Sequence, residues 1–299
     1  MVLRLHHSNV CSDDLDKLKW FYGEALGLKS SPRPRMTGDP ESGQEESGEW
    51  GDTAAFFEAG NPTELQIHAT LRRPYASYQY GQSVNPLANG HFCFRTDDLA
   101  EVLARLDKHG VPYSDYGYWA IHGWHQVFLS DPAGNIIEIH QVDDLGALEE
   151  FEPEGLLRLH HVNVCSDDLD KLRWFYREAL GLDPAPRPAM TGDPEAGQED
   201  SGEWGDTAAF FEAGIPAELQ IHATLRRPYA GYEYGQSVNP LANGHFCFRT
   251  DDIKGFMRRC DELGMRYCDY GRWAIAGWHQ VFLQDPDGNV IEVHQPNVF

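Results

Sequence analysis

Residue i and residue i + 154 match along most of this 299-residue chain, and no gap is needed to keep the two copies aligned. Leu5-His6-His7 falls on Leu159-His160-His161, Gly90-His91-Phe92-Cys93-Phe94 on Gly244-His245-Phe246-Cys247-Phe248, and Ile137-Glu138 on Ile291-Glu292. The fold must therefore be one that a unit of about 150 residues adopts twice, and a unit of that size can hold its own core. The copies also record which positions drifted. Twelve of the 14 histidines form matched pairs: His6/His160, His7/His161, His68/His222, His91/His245, His125/His279 and His140/His294. Only His109 (facing Leu263) and His122 (facing Ala276) do not. Leu99–Asp107, by contrast, reads LAEVLARLD in one copy and IKGFMRRCD in the other. A surface helix drifted while polar residues in strand-like sequence did not.

The composition is that of a globular protein, with 41% hydrophobic and 12% aromatic residues. No apolar run approaches the roughly 18 residues of a membrane span. The chain enters strand-like sequence at Met1-Val2-Leu3-Arg4-Leu5 without a signal-peptide pattern, so a cytoplasmic protein is expected. A formal net charge of −23 would repel nucleic acid and anionic membrane alike, so neither is an expected partner. A monomer or homodimer is expected. The six cysteines show no C-x-x-C spacing and read as reduced thiols; Cys11/Cys165 and Cys93/Cys247 recur, whereas Cys260 and Cys268 do not.

Within each copy the pattern of elements itself repeats. The sequence predicts a strand over Val2–Cys11 and a helix from Asp13 to Leu26, with Ser12 or Asp13 as cap and Gly27 as stop. Leu15, Leu18, Tyr22, Ala25 and Leu26 mark its buried stripe. Strands over Thr53–Ala59 and Glu64–Ala69 follow, after a Gly-, Pro- and acid-rich loop or lid over Met36–Gly51. The order then recurs: strand Gly90–Arg95, helix Asp98–His109 stopped by Gly110, and strands Tyr113–Trp119, His125–Leu129 and Asn135–His140, the last two joined at Asp131-Pro132-Ala133-Gly134. Four such units predict an α+β protein with curved, largely antiparallel sheets. Residues 1–141 and 157–299 are the expected domains, and the acid-rich stretch 142–156 is the linker.

Side chains alternate along a strand, so His7, Asn9 and Cys11 share a face, as do His91 and Cys93, and Glu138 with Ile136 and His140. A carboxylate flanked by Ile136, Ile137 and Ile139 is costly to bury without a partner. A divalent metal shared with two imidazoles is one such partner, since two His and one carboxylate suit Fe(II) and are also accepted by Zn, Mn or Ni. The competing reading has each His hydrogen-bonded in a core and the acid in an ion pair. His125/His279, in the shared segment Gly-Trp-His-Gln-Val-Phe-Leu, are candidate catalytic bases, against a plain strand-capping role. Arg72-Arg73-Pro74-Tyr75, repeated as Arg226-Arg227-Pro228-Tyr229, is the basic spot of an acidic chain, either an anion grip or a loop paired with nearby acids.

LHHSNVCSDDLDKLKWFYGEALGL and its partner LHHVNVCSDDLDKLRWFYREALGL resemble the opening of a vicinal oxygen chelate domain. NGHFCFRTDDLAEVLARLDKHGV resembles the start of that domain's second module, and FLSDPAGNIIEIHQ (FLQDPDGNVIEVHQ in the second copy) its closing hairpin. The superfamily includes glyoxalase I, bleomycin and fosfomycin resistance proteins, methylmalonyl-CoA epimerase and extradiol ring-cleaving dioxygenases. The resemblance implies four βαβββ modules forming two open clefts for a small-molecule substrate. It also implies a metal held by His7, His91 and Glu138, and again by His161, His245 and Glu292. Mixed sets, His7 with His245 and Glu292 and His161 with His91 and Glu138, are the alternative. His6 and His160 are then expected on the other face. A further ligand from the first module's last strand is expected at His68/His222, with Gln66/Gln220 next.

Three functions follow from the resemblance. An extradiol-type dioxygenase would use Fe(II) and is put first, although the Tyr expected ahead of the closing hairpin is here Phe128 or Phe282, and both copies keep the ligand set. A glyoxalase-I-like lyase or an epimerase would use Zn, Mn, Ni or Co with a fourth protein ligand and a base. A metal-free drug-binding protein would need no ligand set at all.

Overall fold

The computed structural model describes residues 3–32, 53–62, 64–72, 82–84, 91–118, 124–130, 135–142, 151, 157–186, 207–216, 218–226, 236–239, 244–272, 278–284 and 289–296. The expected lid over Met36–Gly51, the Asp131–Gly134 turn and nearly all of the acidic linker lie outside them. Among the described residues no helix is long and apolar enough to cross a membrane.

Each copy builds one seven-stranded sheet. The first uses β1 (Leu3–Ser12), β2 (Ala54–Asn61), β3 (Leu65–Leu71), β4 (His91–Thr96), β5 (Tyr113–Tyr118), β6 (Trp124–Ser130) and β7 (Ile136–Val142), in the order β2-β3-β1-β4-β7-β6-β5. β1 pairs with β3, and β4 with β7, in parallel; the other pairings are antiparallel. Ser30 bridges to Phe57 where the second half of the sheet has β5, so both halves follow the order strand, helix, three strands. The second sheet repeats this with β8 (Arg158–Ser166), β9 (Ala208–Glu212), β10 (Gln220–Leu225), β11 (His245–Arg249), β12 (Tyr267–Arg272), β13 (His279–Gln284) and β14 (Val290–Gln295).

Helices cover the apolar face of each sheet. α1 (Leu15–Lys19) is capped by Asp14, whose side chain accepts the Lys17 N–H; this is one residue beyond the expected Asp13, because Ser12 Oγ instead takes the Asp14 N–H. It widens into a π-helical turn over Trp20–Ala25, which buries Phe21 beside the expected stripe of Leu15, Leu18, Tyr22 and Ala25. α2 (Leu99–His109) starts at Asp98 and stops at Gly110, as expected. α3 (Leu169–Trp174, with a π turn over Phe175–Ala179) and α4 (Ile253–Glu262) are their counterparts. One apolar cluster runs from Leu3 to Val293 through both copies.

The copies are also tied by reciprocal hydrogen bonds. Arg105 on α2 donates from Nε to Glu178 O at 2.8 Å, at the end of the second copy's π turn. Arg259 on α4 donates from Nε to Ala25 O at 2.6 Å and from Nη2 to Glu24 O in the first copy. A cation on the last carbonyls of a helix satisfies orphan acceptors and suits the helix dipole. Gly27 and Gly181 end these turns at φ 75° and 81°, and a Cβ on Gly181 would lie 2.9 Å from the Arg105 guanidinium carbon. The Leu5 N–H adds a further link, to Ala213 O at 2.7 Å. Replacing Arg105 and Arg259 together by Ala should lower stability by about 1 kcal/mol per arginine, read as a lower urea midpoint with intact circular dichroism. An unchanged midpoint would assign the copy interface to apolar packing alone.

Candidate metal centre

A β-bulge sets the geometry of each site. β1 pairs Leu5 with Phe94 and then His7 with Cys93, leaving His6 as an extra residue. One extra residue reverses the alternation that follows it. Arg4 and His6 therefore face the polar side before the bulge, and His7, Asn9 and Cys11 face it afterwards, while Leu3, Leu5 and Val10 stay in the core. The expectation that His6 and His160 point away is corrected here. His6 Nδ1 lies 2.8 Å from His7 Nδ1, and its ring meets those of His140 and Trp124 edge-on. The same shift places His160 beside His161.

Beyond the bulge a single rung crosses the sheet: Gln66, His7, Cys93, Glu138 and Phe128 on β3, β1, β4, β7 and β6. His7 and Glu138 are two strands apart, so roughly 10 Å separates their backbones. The small Cys93 between them lets the two long side chains meet above it. His91 comes from two residues before Cys93 and completes the group. His91 Nε2 lies 3.0 Å from Glu138 Oε2, His7 Nε2 lies 3.6 Å from the same oxygen, and the two Nε2 atoms are 3.4 Å apart. In the second copy Glu292 Oε2 is 3.0 Å from His245 Nε2 and 3.6 Å from His161 Nε2. Both groups draw on one copy only; the mixed sets do not form.

The other carboxylate oxygen is already engaged. Glu138 Oε1 accepts from Gln126 Nε2 at 3.0 Å and lies 3.0 Å from His140 Nδ1. Arg95 decides which nitrogen of His140 carries hydrogen: its Nε donates to His140 Nε2 at 2.9 Å, so a neutral ring must hold its proton on Nδ1, facing Glu138. Arg95 is in turn held by Glu64 at 2.8 Å. Cys93 Sγ and His140 Nδ1, 3.1 Å apart, also lie close enough to Glu138 to suggest a second cation site, but the proton on Nδ1 closes that nitrogen to a metal. The second copy repeats the line through Gln280, His294, Arg249 and Glu218.

Electrostatics match a cation site. Burial and the surrounding imidazoles hold His7 well below its ordinary pKa, and burial lowers His140 and His294 to about 4. These rings are neutral at pH 7. Burial alone would raise the Glu138 carboxyl, but hydrogen bonds from His140 and His91 hold it well below the usual carboxylate range; Glu292 behaves likewise. The ionised carboxylate leaves a buried negative charge beside the two imidazoles. Bonds of about 2.1 Å to one ion place neighbouring donors about 3.0–3.5 Å apart, close to the spacing of these three atoms. The residues fit a divalent cation.

The remaining candidates are arranged differently. His68 lies flat on His7, ring centroids 3.7 Å apart and planes 18° apart, with Nε2 at 2.7 Å from Gln66 Oε1. A ligating imidazole holds its metal near the ring plane, and two nearly parallel rings at this separation do not share one ion. His222 stacks on His161 in the same way. Gln66 is also committed, since its Nε2 donates to Ser31 Oγ and Pro62 O. His125 and His279 alternate with Gln126 and Gln280 and so face away from the carboxylates, bonded instead to Asp115 at 2.8 Å and Asp269 at 2.7 Å. Arg72 is tied to Asp13 and to Cys11 O; the rest of its basic spot lies outside the described residues. A pocket of about 430 Å³ between the copies is lined by Asn9 and Phe92, by their counterparts Asn163 and Phe246, and by the candidate ligands His91 and His245.

Gln126 and Arg95 carry no motif in the sequence, and Glu64 stands there only as a same-face neighbour of Gln66 and His68. Their signal was the repeat itself, since each has an identical counterpart in the second copy. The buried neutral imidazoles carry a consequence for stability. Unfolded His takes a proton near pH 6.5, whereas folded His140 and His294 do so only near 4, and His68 near 3, where burial is again the main cause. Within that window the unfolded chain binds more protons, so stability falls with acidification, by on the order of 2 kcal/mol per histidine at pH 5. Urea unfolding with chelator present should show a much lower midpoint at pH 5 than at pH 7. Equal midpoints would mean that these rings are solvated.

No curated protein matches the sequence. Among solved structures, the fold is similar to the Mn(II)-bound glyoxalase from Novosphingobium aromaticivorans (15% identity, TM-score 0.61, covering 100% of this chain and 83% of that one). It is also similar to the 2,3-dioxygenase LapB from Pseudomonas sp. KL28 (14%, 0.60, 98% and 92%). A variant of homoprotocatechuate 2,3-dioxygenase from B.fuscum is a further match (18%, 0.60, 98% and 71%). The sequence pattern of one family matches residues 4–139 and again 158–293. With two such matches spanning both sheets, the chain belongs to the Glyoxalase/Bleomycin resistance protein/Dioxygenase superfamily.

Proposed function

We propose that each copy holds one divalent metal ion through His7, His91 and Glu138, or His161, His245 and Glu292. We further propose that the chain is an extradiol-type dioxygenase acting on a small aromatic substrate with two adjacent oxygens. The observation that carries this reading is the three-donor set itself. His68 stacks on His7 instead of turning a fourth donor to the same ion, and this supports a centre with several positions open to outside ligands. An Fe(II) ion bound there would supply a Lewis acid for adjacent oxygens and a redox partner for O2. The protein's own part is to hold two imidazoles and one carboxylate in place. Phe128, edge-on to His91 at 5.5 Å between ring centroids, and Trp124, stacked on His140 at 3.8 Å, keep water from the group. The likeness in fold to the 2,3-dioxygenases described above supports the scaffold that this reading requires.

A glyoxalase-type lyase or an epimerase is the second reading. It is favoured by Phe128 and Phe282, which bring no phenolic hydroxyl to the place where the dioxygenase pattern has one. Metal analysis and an assay panel separate the two. The purified protein should carry close to two ions per chain, and the Fe(II)-loaded form should consume O2 with catechols. Loss of a hemithioacetal with Ni, Zn or Co, without O2 uptake, would establish the lyase instead, and stoichiometric drug binding without metal would establish neither enzyme. Glu138→Ala with Glu292→Ala should strip the metal and abolish activity, and either change alone should remove about half of both. His125→Ala with His279→Ala should leave the metal content unchanged. Metal retained in the double glutamate variant would overturn the ligand assignment.

A further inference from the structure

We propose that Gln126 and His140, with Gln280 and His294 in the second copy, lock the metal-binding carboxylate into coordination through one oxygen, Oε2. The inference rests on the metal reading above and adds the number of positions left open for ligands.

Two observations carry it. Glu138 Oε1 receives Gln126 Nε2 and His140 Nδ1, each at 3.0 Å, while Oε2 alone faces His7 and His91. Neither donor can be turned round. His140 must present its N–H to Glu138, because the Arg95 guanidinium can only donate and occupies the other ring nitrogen. Turning the Gln126 amide would set its carbonyl against a carboxylate oxygen. The second observation is what that orientation costs. Gln126 Oε1 is buried with no hydrogen-bond partner among the described residues, and Gln280 Oε1 repeats this in the second copy. A buried unpaired carbonyl is unfavourable, yet both copies keep it, at the one amide that engages the carboxylate. In the second copy Gln280 Nε2 is again 3.0 Å from Glu292 Oε1, and His294 Nδ1 is 3.4 Å away.

The consequence is chemical. A carboxylate bound through both oxygens takes two places on a six-coordinate ion, and one bound through Oε2 alone takes one. With two imidazoles, the lock would leave one more position open to outside ligands than a carboxylate bound through both oxygens. Gln126 and His140 are positioning residues in this scheme and do not touch substrate.

Cobalt(II) reports coordination number through its visible absorption, which weakens as ligands are added. Wild-type protein, Gln126→Met/Gln280→Met and His140→Asn/His294→Asn are loaded with cobalt, and absorption per bound ion is measured. The Met variants, similar in shape but lacking the donor, should bind two ions per chain with weaker absorption as Oε1 joins the ion. The Asn variants, whose amide nitrogen replaces His Nδ1, should keep the wild-type spectrum. Identical spectra for wild type and the Met variants would overturn the lock. A crystal structure of cobalt-loaded wild-type protein tests it without any substitution: one carboxylate oxygen on the ion is expected, and two would overturn it. Failure of wild-type protein to take up cobalt is a separate result that removes the metal reading and the lock together.

Discussion

An ionised carboxylate on the inner strands of a sheet needs compensating neighbours, because burial without them costs several kcal/mol. Glu138 and Glu292 place that demand at the centre of each sheet, and much of the surrounding structure answers it. Cys93 is small enough to let His7 reach across. Gln126 and His140 take one oxygen, and His7 and His91 crowd the other. Behind His140 stand Arg95 and then Glu64, so charge alternates outward from the site along a buried line. The bulge at His6 belongs to the same arrangement, since without it His7 would face the apolar core.

The drifted helix shows what the copies need from each other. Of the nine positions from Leu99 to Asp107, only Arg105 and Asp107 keep their identity, as Arg259 and Asp261. The inward positions Leu99, Val102 and Leu106 became Ile253, Phe256 and Cys260, all still buried. Apolar packing tolerates such exchanges when volume is redistributed nearby. A guanidinium that donates to carbonyls of the opposite copy has no such substitute, because it must reach two fixed acceptors at once. The pair therefore acts as a fused pseudo-dimer with two equivalent polar centres, each complete within its own copy.

The site is chemically sparse for an enzyme. Its centre offers three donors and, among the described residues, no exposed acid or base touches the carboxylate. On the proposed metal reading, such a centre would leave reactivity to the ion and to the ligands it gathers, and the protein would contribute position, charge and dryness. That division of labour fits a superfamily in which one scaffold hosts several reactions.

The sequence by itself determined the duplication, the strand and helix order, the two-sheet α+β fold, and the residue types from which a centre is assembled. These are carried by local signals: apolar periodicity, Asp and Gly at helix ends, and identity between the copies. Met36–Gly51 and the linker were visible only as composition. Only the tertiary structure decided that His6 joins the cluster, that His68 stacks instead of turning inward, that His125 faces away, and that each centre is built within one copy. The physical reason is that a bulge and a strand register depend on pairing between distant segments. One inserted residue reverses a face without changing any local propensity, and whether two imidazoles stack or converge depends on the spacing between strands that are far apart in the chain.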